Sequence, residues 1–100
     1  MRNLSDQLLH ELGRQIVNGD IQPREHLSKV EVLSEEKGVS RTVVREALKG
    51  LTARRLVESS TKVGTVVLDR SEWQWWDPDV LQWAAQSKDN MKFFMKLTEV

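Results

Sequence analysis

The chain reads as mainly α-helical with a small β-hairpin: a winged helix-turn-helix followed by a helical C-terminal segment. Three observations lead there. Residues 33 to 57, LSEEKGVSRTVVREALKGLTARRLV, form two short amphipathic patterns joined by Lys37, Gly38 and Val39. Two short runs follow, Leu56 to Ser60 and the β-branched Thr65 to Leu68, around a polar tip of Thr61, Lys62, Val63 and Gly64. Past residue 70 the composition shifts, with all four tryptophans (Trp73, Trp75, Trp76, Trp83) inside eleven positions.

The first helix is expected to start at Ser5 as N-cap, with Asp6 in its first turn and Leu4 and Leu9 at hydrophobic staple positions. Leu9, Leu12 and Ile16 repeat along one face, and Gly19 supplies the stop. The stretch Ile21 to Leu27, broken by Pro23, is too short for a strand pair and reads as a turn. A second helix begins near Lys29, with Ser28 and Glu31 spaced as a capping box and Val30 and Leu33 as a narrow apolar stripe ending before Gly38. Ser40 caps the third helix. There Val44, Leu48 and Leu51 form an apolar face, while Arg41, Arg45 and Lys49 recur on another. Further on, Asp77 is the expected N-cap of a helix with Pro78 at its first position. Met91, Phe94, Met95 and Leu97 begin a later one.

Charge sharpens the picture. Residues 37 to 55 hold six basic side chains (Lys37, Arg41, Arg45, Lys49, Arg54, Arg55) against Glu46, a surplus of five positive charges in a chain that is neutral overall. A basic element on a neutral chain predicts a localised polyanion-binding face. At the start of the third helix, Ser40 and the backbone N–H groups can hold a phosphate, and Arg41, Thr42 and Arg45 can reach bases or phosphates in a major groove. Lys49 extends that face. Lys62 at the wing tip can reach phosphate or a minor groove, and Gly64 permits the tight hairpin.

With 39% hydrophobic and 30% charged residues, the composition is that of an ordinary soluble globular chain. No apolar run approaches a membrane span and the N-terminus is too polar for a secretory signal, so no membrane partner is expected and the cytoplasm is the expected compartment. There is no cysteine, which excludes disulfides and thiolate metal sites. His10 and His26 have no metal-like spacing and read as surface or capping residues; no metal site and no cofactor is expected. Without a carboxylate pair, a nucleophile constellation or a phosphate-binding glycine loop, an enzyme is the least favoured class.

GVSRTVVREAL at 38 to 48 and LVE…VGTVV at 56 to 67 resemble the GntR family, over roughly residues 4 to 68. The resemblance implies a homodimeric bacterial transcription regulator that binds a short palindromic operator in double-stranded DNA, with Arg41, Thr42 and Arg45 in its recognition helix and the Gly64 region in its wing. The sequence departs from the family pattern at three places: Pro23-Arg24 stands for the usual Pro-Gly turn, Arg55 for a glycine before the first wing strand, and Glu31 for an arginine that contacts DNA in some members. The capping box accounts for Glu31, and Lys29 partly substitutes for the missing cation. WQWWDPDVLQW at 73 to 83 resembles the linker and first effector-domain helix of the FadR-type branch, with sugar-acid repressors, including galactonate-type regulators, the nearest in look. That implies a DNA-binding domain at 1–69, then at 70–100 a linker and the truncated start of an all-helical effector-binding domain, where a small-molecule effector would act. Trp76, Leu81 and Trp83 are expected to pack on the winged helix or on a second chain. The alternative function is a winged-helix protein-interaction or dimerisation module without specific DNA binding.

Overall fold

The computed structural model describes residues 3–87. The order of elements is α1 (Leu4–Asn18), α2 (Val30–Lys37), α3 (Arg41–Ala53), β1 (Val57–Ser60), β2 (Gly64–Val67), a 3-10 turn (Arg70–Glu72) and α4 (Pro78–Gln86). It is the winged helix-turn-helix expected, with a helix after it.

α1 starts earlier than expected. The Asn3 side chain accepts from the Asp6 N–H at 2.8 Å, and the Ser5 hydroxyl donates to the same oxygen at 2.7 Å. Asn3 is therefore the cap and Ser5 lies within the first turn. Leu4 becomes the first helical residue and is 53% exposed, so the Leu4–Leu9 staple does not form. Leu8, Leu9, Leu12, Ile16 and Val17 are buried, and Gly19 closes the helix in the left-handed region.

The segment after α1 is more than a turn. Arg24 N–H donates to the Val67 carbonyl at 2.7 Å, Val67 N–H to Glu25 at 2.9 Å, and Leu27 N–H to Thr65 at 2.9 Å, with His26 bridging Val66. Residues 24–27 thus cover the free edge of β2, which satisfies backbone groups that a two-stranded hairpin leaves open. The helix 2 cap also differs. α2 starts at Val30 with Lys29 at the N-cap and no side-chain cap hydrogen bond, so Ser28 sits one residue too early and Glu31 one residue short of the third helical position for a capping box.

α3 is built as its pattern predicts. Ser40 Oγ accepts from the Val43 N–H at 3.1 Å, and Val44, Ala47, Leu48 and Leu51 are buried against α1 and the sheet. β1 and β2 pair antiparallel from Val57↔Val67 to Ser60↔Gly64, which turns both valines into the core. At the tip, Ser60 Oγ accepts from the N–H groups of Lys62 and Val63, and Gly64 takes φ 77, which a side chain would strain.

The tryptophan segment straps down the side of this core. Trp73 is buried and donates through Nε1 to the Leu68 carbonyl at 3.0 Å, while the Arg70 guanidinium lies over the rings of Trp73 and Trp75. Asp77 caps α4 by accepting from Asp79 and Val80 N–H groups, as predicted. Trp83 packs its ring on the backbone of α1 at Gly13 and donates from Nε1 to His10 Nδ1 at 3.1 Å. His10 is thus a buried side chain, unlike the surface or capping residue its spacing suggested. Of the three residues expected to find a packing partner, Trp83 does so on the winged helix, whereas Trp76 and Leu81 stay exposed at 76% and 52%. Met91, Phe94, Met95 and Leu97 lie outside the described residues.

Candidate nucleic-acid interface

The basic residues that look alike in sequence divide into two groups in space. Lys37 Nζ is bound to Glu11 at 3.0 Å, and Arg55 to Glu72 at 3.2 Å. Arg54 is half-buried and donates to Asp77 at 3.2 Å, to Asp79 at 2.7 Å and to the Gly50 carbonyl at 2.9 Å. These three are consumed in holding elements together. Arg41 and Arg45 are exposed on α3 and form no ion pair with a described residue, while Lys49 makes a solvent-exposed pair with Glu46 at 3.4 Å. The expected surplus of five charges on one face is therefore an overcount, because adjacency in sequence says nothing about which acid each cation meets.

Ser40, Arg41 and Thr42 together form the start of α3. Their geometry suits an anion, since the first N–H groups of a helix have no intrahelical carbonyl and carry the positive end of the dipole. One turn on, Arg45 lines a cleft of about 530 Å³ between α3 and the wing, which it shares with Lys62 and Gly64 at the tip. Lys49 lies one further turn along, beside Arg45, Thr52 and Ser59 on a shallow surface between α3 and the hairpin. The predicted positions thus fall into a helix start, a cleft and a helix flank.

The cleft also takes in Lys29, Glu31, His26 and Thr65. Lys29 carries a sequence signal, a cation at the start of the second helix. His26 and Thr65 carry none, because they reach the cleft only through the pairing of residues 24–27 with β2. The placement of the cleft gives its chemistry: cations on the helix, on the wing tip and at the start of α2 surround an opening that suits a phosphate-lined edge.

A short helix packed across a second whose exposed flank is cationic, with a hairpin wing at its side, defines a winged helix-turn-helix of the kind that reads duplex DNA. Residues 4–67 match the family described as bacterial regulatory proteins, gntR family, and the chain belongs to that family. The chain is 35% identical over 98% of its length to the galactonate operon transcriptional repressor of Escherichia coli K12, and 40% identical over 82% of its length to the HTH-type transcriptional regulator YieP of the same organism. It spans 43% and 36% of those two relatives, respectively. Among solved structures, the AraR DNA-binding domain in complex with operator ORE1 superposes with a TM-score of 0.64 at 30% identity, over 67% of this chain and 82% of that one.

Proposed function

We propose that this chain is the DNA-reading part of a metabolite-responsive repressor of sugar-acid or related carbon catabolism. In this reading it acts in the cytoplasm as a homodimer on a short palindromic operator. The observation that carries the DNA reading is the separation of the cations: Arg41 and Arg45 face solvent on α3, Arg45 lining the wing cleft, while Lys37, Arg54 and Arg55 are tied to acids elsewhere. Ser40 and the first backbone N–H groups of α3 hold phosphate, Arg41, Thr42 and Arg45 reach the major groove, and Lys49, Lys62 and the Gly64 turn meet the flanking backbone. Similarity to a galactonate operon repressor supports the repressor and sugar-acid parts. Residues 1–69 act as the DNA-binding domain and 70–100 as the linker and start of an all-helical effector-binding domain, through which a small molecule controls binding.

Selection of bound duplexes from a random library at near-physiological salt tests this. A recovered palindrome supports a dimeric reader and gives the operator core. Recovery of no motif would favour a winged-helix interaction module.

A further inference from the structure

Glu31 is the anomaly of the cleft. It lines an opening shared with Lys29, Arg45 and Lys62, yet it forms no hydrogen bond or ion pair with any described residue. Its expected role as a capping-box partner is absent, because α2 is capped at Lys29 and has no side-chain cap bond. What remains is an exposed, unpaired carboxylate in a cationic cleft.

Duplex DNA offers a carboxylate few partners. Phosphate oxygens repel it, and most groups on the major-groove edge (guanine N7 and O6, adenine N7, thymine O4) are acceptors like itself. Only the exocyclic amines, cytosine N4 and adenine N6, donate there, and adenine sets its N7 acceptor beside the amine. Lys29, Arg45 and Lys62 lower the electrostatic cost of bringing an acid close to the backbone. We propose that Glu31 is a specificity residue that accepts a hydrogen bond from an exocyclic base amine, with cytosine N4 as its best partner. It discriminates in both directions, since a guanine or thymine at that place would set acceptor against acceptor. The inference rests on the DNA reading above.

The test is duplex selection with the wild-type chain and with Glu31→Ala and Glu31→Gln, alongside melting curves to establish that the variants fold. The wild-type chain is expected to show one column enriched about tenfold or more in cytosine or adenine. The base recovered identifies which amine is read. Glu31→Ala is expected to flatten that column and leave the others intact, while Glu31→Gln keeps part of the preference through its carbonyl oxygen. A uniform rise in affinity with an unchanged set of preferences in Glu31→Ala would mean that the carboxylate only repels phosphate, and would overturn the proposal. If the wild-type chain recovers no motif, the DNA reading itself fails and this inference with it. If only Glu31→Ala and Glu31→Gln leave a recovered motif untouched, the DNA reading stands and this inference falls.

Discussion

Two arginines take backbone conformations that a glycine would take more easily. Arg24 has φ 74 and Arg55 φ 62, at the two places where the family pattern usually has glycine. The chain's path is thus kept while the residue that suits it is lost, at about 1–2 kcal/mol for a left-handed L-residue. Arg24→Gly removes that strain but frees the unfolded chain by about 0.5–1 kcal/mol. The Arg24–Asp69 contact it forfeits is 3.8 Å long and exposed, and so contributes little. The net expectation is a gain of up to about 1 kcal/mol, read as a higher urea midpoint with unchanged slope; a lower midpoint would refute it. Arg45 makes the opposite kind of prediction. It is exposed and bonded to nothing described, so Arg45→Ala is expected to leave stability within about 0.5 kcal/mol while weakening operator binding by about 1–3 kcal/mol. Undiminished affinity in a folded variant would remove it from the interface. Both arginines were visible as cations in the sequence, and only the backbone angles and ion-pair distances tell them apart.

Elements differ in how far local rules determine them. α3, the hairpin and the start of α4 follow their sequence signals because Ser40, Gly64 and Asp77 act on backbone groups within a few residues. The start of α1 departs from its sequence signal because Asn3 competes with Ser5 for the same role. The edge formed by residues 24–27 has no local signal because its partner, β2, lies about forty residues on. The docking of α4 is the extreme case, pairing Gly13 with Trp83 across seventy positions. A β-carbon at Gly13 would lie 2.4 to 2.8 Å from the Trp83 ring, closer than any real contact. Gly13→Ala gains about 1 kcal/mol in helix propensity and loses about 1–3 kcal/mol to overpacking. The expected result is a less stable protein with α4 shifted off α1. Faster hydrogen exchange at the Trp83 indole N–H, now bonded to His10, would report that shift; exchange as slow as in the parent chain would rule it out.

For the whole molecule, salt dependence of binding follows from where the charges go. The chain has 15 basic and 15 acidic residues, so no general positive field draws it to DNA. Attraction comes from local cations, each of which releases counterions only if it meets a phosphate. If every basic residue of 37 to 55 did so, with Lys29 and Lys62 added, about eight phosphates would be neutralised per half-site and the logarithmic salt slope would be near −7. Lys37, Arg54 and Arg55 are already neutralised by Glu11, Asp77, Asp79 and Glu72, and of the two α3 arginines that reach the major groove one is counted on a base. That leaves Lys29, Lys49, Lys62 and the other arginine, and a slope near −3.6 per half-site. Anisotropy titrations of a half-site duplex across a series of KCl concentrations measure it directly. A slope close to −7 would mean that DNA breaks the internal ion pairs, which would undo α4's fastening through Arg54 on binding. A slope near −3.6 would mean that the fold spends three of its cations on its own architecture and reads DNA with the rest.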